Sequence, residues 1–329
     1  MLRACLIGAG AMGKNHGRVL HEIDGVDLVA VVDPAGDTFG IARGAAVYAD
    51  LDEAIRAGID MAVVAVPTKY HSAIGLQLAE NGVHALIEKP VADSSEAGRE
   101  LAQAFERAGL IGAVGHIERF NPAISQLRKR LENGDLGQMY QVATRRLSSY
   151  PSRISDVGVA MDLASHDVDL TAWVSQANYL RVSASTVSRS GRGHEDLIAI
   201  HAELEGGIVA NHLVNWLSPI KERVTVVTGE GGAFVADTAT GDLTFYKNGS
   251  APTEWESVAS FRGMSEGDVT RFAFPKREPL RSELEAFRDA VNGLDTGLCT
   301  LREGVATVEV IEQSLRSARE HAVRDLPGV

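Results

Sequence analysis

Two short stretches carry side chains whose types and spacing can do chemistry. In "MDLASHDVDL" (161–170), Asp162 and His166 are four residues apart. On a helix that spacing puts both on one face. Histidine titrates near neutrality and serves as a general base, and a carboxylate one turn away can orient the ring and stabilise its protonated form. Three readings of the pair stay open: a proton-transfer pair, two ligands of a metal, or a polar cluster satisfied within the fold. No further His, Cys or Glu pattern with ligand spacing accompanies it, so no metal is assigned. Asp167 and Asp169 read as structural or surface residues. The second stretch is "HALIEKP" (84–90), an apolar run ending in Glu88, Lys89 and Pro90. Proline biases Lys89 toward an extended conformation. A lysine at a strand end can donate to a reacting oxygen and stabilise developing negative charge. Its other reading is an ion pair with Glu88, although neighbouring strand residues face opposite sides.

These residues need a scaffold, and "GAGAMG" (8–13) indicates one. Gly8, Gly10 and Gly13 have GxGxxG spacing between a strand-like run and a helix-like run. In that context Gly8 permits the tight turn, Gly10 lets a pyrophosphate approach the backbone, and Gly13 lets the helix pack on the sheet. Ala11 and Met12 open the helix, whose free N–H groups suit phosphate. Asp33 ends the second apolar run, twenty residues after Gly13. A carboxylate there bonds the adenosine ribose hydroxyls and repels a ribose phosphate, which favours NAD over NADP. Pro67 and Thr68 end the next run, at the carboxyl-end position where ligands bind in such sheets. His71 reads equally as a cofactor neighbour, a helix cap or a surface residue.

Apolar runs at 3–8, 26–33, 61–67, 84–90 and 110–116 alternate with helix-like segments such as 70–81 and 93–109. The alternation predicts βαβ units and a doubly wound parallel sheet of the Rossmann kind over residues 1–117. Asp93 and Glu96 have capping-box spacing at the start of the last of these helices. After residue 118 the pattern changes. Helical stretches at 121–133 and 159–175 are followed by strand after strand: 180–190, a hairpin across 197–216 turning at Gly206 and Gly207, then 223–229, 232–237 and 242–247. This predicts an α+β domain over 118–329 with an open, mostly antiparallel sheet. Residues 248–278 read as irregular. Helices close the chain at about 280–292 and 301–320, the second behind a capping box of Thr300 and Glu303. Apolar side chains of both parities in "LIAIHAEL" and "IVANHLVNW" predict a homo-oligomer, dimer or tetramer, joined through this sheet.

With 329 residues, the chain is long enough for two cores. Its formal net charge of −12 argues against non-specific binding to nucleic acid or anionic membranes. No apolar run approaches the length of a bilayer span. The N-terminus enters a strand pattern without a signal-peptide cleavage region. Cys5 and Cys299 offer neither metal spacing nor a disulfide framework, so the cytoplasm is the expected compartment.

Taken together, "GAGAMG", Pro67-Thr68, "EKP", "GHIERFNP" (115–122) and Asp162…His166 resemble the Gfo/Idh/MocA family of sugar dehydrogenases. The resemblance runs over nearly the whole chain. It implies NAD as cofactor, with Lys89, Asp162 and His166 facing the nicotinamide. "GHIERFNP" with "RISDVGVAMDLASHDVDL" resembles the branch acting on UDP-N-acetylglucosamine or its uronic acid at the third ring carbon. A nucleotide sugar needs cations for its phosphates; Arg119, Arg153, Lys276 and Arg277 are candidates, each read also as a solvated or ion-paired residue. Asn121 reads either as a sugar contact or as the start of the helix at 122. A free sugar or polyol such as inositol is the rival substrate. A dinucleotide-binding sensor without turnover is the rival function, and the intact Lys89, Asp162 and His166 set argues against it.

Overall fold

A computed structural model of the chain describes residues 1–151, 157–249 and 265–326. The chain divides into two units. One is Met1–Phe120 with Glu278–Glu309, and the other is Asn121–Arg277 with Val310–Val329. The sequence reading places one boundary after residue 117. The structure puts it at Phe120/Asn121 and brings a later segment back to the first unit.

The first unit begins with β1 (Leu2–Ile7), α1 (Ala11–Leu20), β2 (Val26–Val32), β3 (Ala46–Tyr48), α2 (Leu51–Arg56), β4 (Met61–Val64), α3 (His71–Glu80), β5 (His84–Glu88), α4 (Ser95–Ala108) and β6 (Gly112–Gly115). The strands lie in the order β6-β5-β4-β1-β2-β3 and pair in parallel. The order reverses between β1 and β4, which makes that junction the topological switch point. All four β4 residues are buried, as an apolar run in a parallel sheet requires. The short β3 and α2 escape the sequence reading, because "AVY" and "LDEAIR" are too brief to show a period. The α4 cap is also corrected. Ser94, not Asp93, is the N-cap, its hydroxyl accepting from the Ala97 N–H at 3.3 Å. Gly109 closes the helix at φ +65°, as its sequence position predicts.

The second unit carries α5 (Pro122–Glu132), β7 (Met139–Ser149), a π-helical stretch Ala160–Ala164 running into α6 (Ser165–Ser175), then β8 (Tyr179–Val187), β9 (Leu197–Leu204), β10 (Ile208–Asn215), β11 (Leu217–Gly229), β12 (Gly232–Asp237), β13 (Asp242–Gly249) and β14 (Ser265–Arg271). The chain then returns to the first unit through α7 (Pro279–Val291), β15 (Cys299–Thr300) and the start of α8 (Leu301–Glu320), and ends at β16 (Arg324–Asp325). β15 adds antiparallel to β6, while Leu280, Leu284 and Phe287 of α7 join Leu6, Leu20 and Ile23 in the first core. The predicted box before α8 is present: Thr300 N–H donates to Glu303 Oε2 at 2.8 Å and Glu303 N–H to Thr300 Oγ1 at 3.2 Å.

The nine strands of the second sheet run β14-β13-β12-β11-β7-β10-β9-β8-β16, antiparallel except for β7 beside β10. Two strands correct the sequence reading. β14 lies in the stretch that reads as irregular, and β7, which the sequence pattern does not reveal, sits between β11 and β10. Its "RRL" hides the alternation, since Arg145 faces outward but Arg146 is buried. Alternate residues (Val142 and Thr144 on β7, Ile198 and Ile200 on β9, Ala210 and His212 on β10) are buried in the core that α5 and α6 also line. Ala143, Ala199, His201, Asn211 and Leu213 have the opposite parity and help line a broad concavity of about 820 Å³. Among the described residues no helix is long and apolar enough to cross a membrane.

Candidate functional site

The glycine-rich turn joins β1 to α1, and each glycine has a distinct reason. Gly8 has φ +96°, and a Cβ there would lie 2.5 Å from the Ala65 carbonyl oxygen. The turn is therefore pressed against the end of β4, across the switch point. A Cβ on Gly13 would lie 2.0 Å from the Gly8 carbonyl oxygen, so α1 sits directly on its own turn. Gly10 differs: a Cβ there meets nothing within 4 Å, so packing does not demand a glycine. Gly10 and Ala11 are exposed, no side chain caps the helix, and no acidic residue occupies its first turn. The turn thus offers unblocked backbone to an anion. Asp33, just past β2, accepts from the Ala9 N–H and the Ala35 N–H, each at 2.8 Å. One bond to each oxygen fixes the carboxylate beside the turn and leaves lone pairs for ribose hydroxyls. These residues fit an NAD adenosine and pyrophosphate.

The ends of β4 and β5 form the other side of the crevice. Pro67 is exposed and precedes a short 3₁₀ turn, Thr68–Tyr70. His71 corrects its sequence reading: it is only 1% exposed, so it is neither a surface residue nor a side-chain cap. Its Nδ1 lies 2.8 Å from the Pro90 carbonyl and its Nε2 2.9 Å from the Val66 carbonyl. The ring ties the two strand-end turns together. Burial holds its pKa below the ordinary histidine value, against the pull of the two carbonyls. Glu88 ends β5, and Lys89 follows in a cis peptide with Pro90.

In the second unit, Asp162 and His166 lie on one continuous helical segment, as their spacing predicts, but the segment is not uniform. Asp162 falls in the π-helical stretch and His166 in α6. Single π turns recur at functional sites. Asp162 is buried and His166 half-buried. Glu195 fixes the start of the segment: its Oε1 accepts from the Ala160 N–H at 2.9 Å and its carbonyl from Val159 N–H at 3.1 Å. Gly158 leaves the room, since a Cβ there would lie 2.0 Å from Glu195 Oε1. Asp167 and Asp169 are buried, which removes the surface alternative. Arg146 Nε donates to both Asp167 oxygens at 3.1 Å and so clamps α6 to β7. Beside it His212 Nδ1 lies 2.8 Å from Thr144 Oγ1, and His212 Nε2 lies 3.0 Å from the Tyr179 hydroxyl. Tyr179 donates to the Val168 carbonyl of α6 at 3.3 Å. Sequence spacing reveals none of Arg146, Glu195 or His212, because their partners lie 21 to 68 residues away; the buried parity of β7 and β10 is the available signal for Arg146 and His212.

The predicted phosphate cations fare unevenly. Arg119 is 3% exposed, and its Nη1 pairs with Glu303 at 3.1 Å. Lys276 donates to the Thr240 carbonyl at 2.8 Å and pairs with Asp242 at 2.7 Å. Asn121 resolves toward its structural alternative. Its Oδ1 accepts from the Ala123 N–H at 3.1 Å as the α5 cap, and its Nδ2 donates to the Thr238 carbonyl at 2.9 Å. Arg153 lies outside the described residues.

Residues 2–116 match the family described as "Oxidoreductase family, NAD-binding Rossmann fold", GFO_IDH_MocA, and residues 124–235 match the GFO/IDH/MocA C-terminal domain. The chain is 28% identical over 323 residues to UDP-N-acetylglucosamine 3-dehydrogenase of Acidithiobacillus ferrooxidans, covering 96% of each. It is 24% identical to scyllo-inositol 2-dehydrogenase (NAD(+)) of Bacillus subtilis, over 94% of this chain and 92% of that protein. It is 30% identical to the rhizopine catabolism protein MocA of Rhizobium meliloti, over 62% and 68%. Among solved structures, GenD2 from gentamicin A biosynthesis in complex with NAD is similar at a TM-score of 0.83 and 27% identity, over 99% of this chain and 97% of that one.

Proposed function

The chain belongs to the Gfo/Idh/MocA family of NAD-binding oxidoreductases, and on that premise we propose that it oxidises a secondary hydroxyl of a nucleotide-linked sugar, a UDP-N-acetylhexosamine at C3. The NAD-dependent dehydrogenase class follows from the family. The substrate is the proposal, and the observation that carries it is end-to-end similarity to a UDP-N-acetylglucosamine 3-dehydrogenase, 96% of both chains.

When bound, NAD supplies the hydride acceptor; the protein must hold it and manage a proton. The Gly8–Gly13 turn takes the pyrophosphate and Asp33 the adenosine ribose. His166 takes the proton of the reacting hydroxyl. Asp162, one turn earlier, orients the imidazole and stabilises its charged form. Lys89 donates to the reacting oxygen and lowers the cost of developing alkoxide. Arg153 is the cation proposed for the sugar nucleotide's phosphates, because Arg119 and Lys276 already serve internal partners and Arg277 is engaged as well. Copies of the chain associate through the outer face of the second sheet, where Ala143, Ala199 and Leu213 help line a concavity of about 820 Å³.

The test is a thermal-shift series with NAD present, comparing UDP-N-acetylglucosamine and its uronic acid with free N-acetylglucosamine and inositol. A ligand that binds the native state raises the midpoint. The reading expects a shift with the UDP-sugars alone, followed by NADH formation at 340 nm. A shift and turnover with inositol alone would move the assignment to a polyol, the reading that similarity to scyllo-inositol 2-dehydrogenase favours.

A further inference from the structure

One buried pair in the first unit has no part in the proton transfer above. His16 lies on α1, one turn after Gly13, and is fully buried. Its Nε2 lies 2.8 Å from Glu88 Oε1, while its Nδ1 is buried with no hydrogen-bond partner among the described residues. An imidazole donating through Nε2 and leaving a lone pair on Nδ1 satisfies this arrangement, whereas a second buried N–H would be orphaned. The other carboxylate oxygen, Glu88 Oε2, accepts from the Lys89 backbone N–H at 3.1 Å. Gly115 closes the third side, since a Cβ there would come within 3.4 Å of the carboxyl. The Glu88 side chain is only 13% exposed. Burial pushes its pKa up, but the hydrogen bond from His16, with the charge and backbone N–H of Lys89, outweighs burial and holds the carboxyl below the usual range.

The position of this anion matters. Asp33 marks the adenosine half of the dinucleotide at the end of β2, and the switch point lies between β1 and β4. A dinucleotide held in that orientation would carry its other half toward the ends of β4 and β5, and Glu88 is the last residue of β5. A nicotinamide ring is positively charged when oxidised and neutral when reduced. We propose that the Glu88 carboxylate, held in place by His16, makes this unit favour the oxidised over the reduced dinucleotide. Lys89 brings the opposite charge to the same strand end. Glu88 offsets it, so the ammonium assigned to the reacting oxygen does not disfavour the oxidised ring. His16 is the positioning residue. The inference rests on the proposed placement of the nicotinamide beside Lys89, and concerns which form of the cofactor is held rather than which sugar is oxidised.

The experiment needs no sugar. Dissociation constants for NAD⁺, NADH and ADP are measured for the parent, Glu88→Gln, His16→Leu and His16→Gln. A unit charge a few ångströms from the ring, in a partly screened crevice, changes relative affinity by about tenfold. Glu88→Gln is expected to lower the ratio of NAD⁺ to NADH affinity by about that factor, with ADP unchanged. His16→Leu, which removes the donor that holds the carboxylate, lowers the ratio in the same direction. His16→Gln, which restores an N–H donor, recovers it. ADP affinity identifies a variant whose fold is intact, and either Glu88→Gln or His16→Leu suffices for the decision. An unchanged ratio in whichever binds ADP like the parent overturns the inference, even if both nicotinamide forms weaken together. Loss of turnover in a Lys89 or His166 variant, by contrast, bears only on the proposed reaction.

Discussion

The His212 network beneath α6 predicts a defined loss of stability in mild acid. His212 is 2% exposed, with a hydroxyl on each ring nitrogen. Because Tyr179 donates to the Val168 carbonyl, its oxygen accepts from His212 Nε2–H, and Nδ1 accepts from Thr144. Every group is served by the neutral ring. Burial alone depresses the pKa from 6.5 to about 3. The unfolded chain therefore binds a proton below about pH 6.5 that the folded chain refuses until about pH 3. Stability is complete above the unfolded value and falls as pH drops toward the folded one. At pH 5 this amounts to about 2 kcal/mol, one and a half pH steps at about 1.4 kcal/mol each. All three tryptophans, Trp173, Trp216 and Trp255, lie in the sequence span of the second unit, so their fluorescence in urea reports on it selectively. His212→Gln is expected to be less stable at pH 7.5 and to lose about 2 kcal/mol less than the parent on going to pH 5. Parallel pH dependence in parent and variant would refute the reasoning, because the remaining histidines are common to both.

Turnover in His166→Asn and Lys89→Ala is expected to fall roughly 10²–10⁴-fold with NAD affinity kept, as single-turnover NADH formation and separate NAD titrations would register; Asp162→Asn is expected to be milder, and near-full turnover in His166→Asn would place the base elsewhere. Direct titrations should find NAD bound more tightly than NADP, with the gap narrowed in Asp33→Ala; tighter NADP binding by the parent contradicts the role given to Asp33. Light scattering at micromolar concentration is expected to show a dimer or tetramer that Leu213→Glu, on the outer sheet face, dissociates; a monomeric parent counts against the sheet as the contact.

The first unit was legible because its signals are local. Gly8, Gly10, Gly13 and Asp33 stand in fixed spacing, and strands buried on both faces read as unbroken apolar runs. The second unit was legible where one face of a strand is apolar, as in β9 and β10. It failed at β7, where a buried ion pair puts Arg146 on the core face. The site divided along the same line. Asp162, His166 and Lys89 stand out by type and position. For Arg119, Asn121 and His71 the sequence leaves a chemical and a structural reading open; in the fold they form an ion pair with Glu303, a helix cap and a tie between two turns. A polar side chain shows its chemistry in the sequence, whereas a partner such as Glu303, 184 residues from Arg119, does not.

The discontinuity of the first unit has a consequence for how the protein is made. Its sheet is nearly complete once residue 115 exists, yet Leu280, Leu284, Phe287 and the edge strand β15 come from the far side of a 157-residue excursion, Asn121 to Arg277. On the ribosome the nucleotide crevice therefore emerges early with part of its core missing, its β6 edge unpaired and the α7 side of α1 uncovered. Unpaired edges and bare apolar surface are what nascent chains aggregate through. The second unit, which the excursion encodes, must be translated before that gap can close. A ribosome stalled near residue 277 would hold a chain with every residue proposed to hold the dinucleotide present but the first unit unfinished. Protection of the Gly8–Gly13 turn from proteolysis should then appear only when α7 has cleared the exit tunnel.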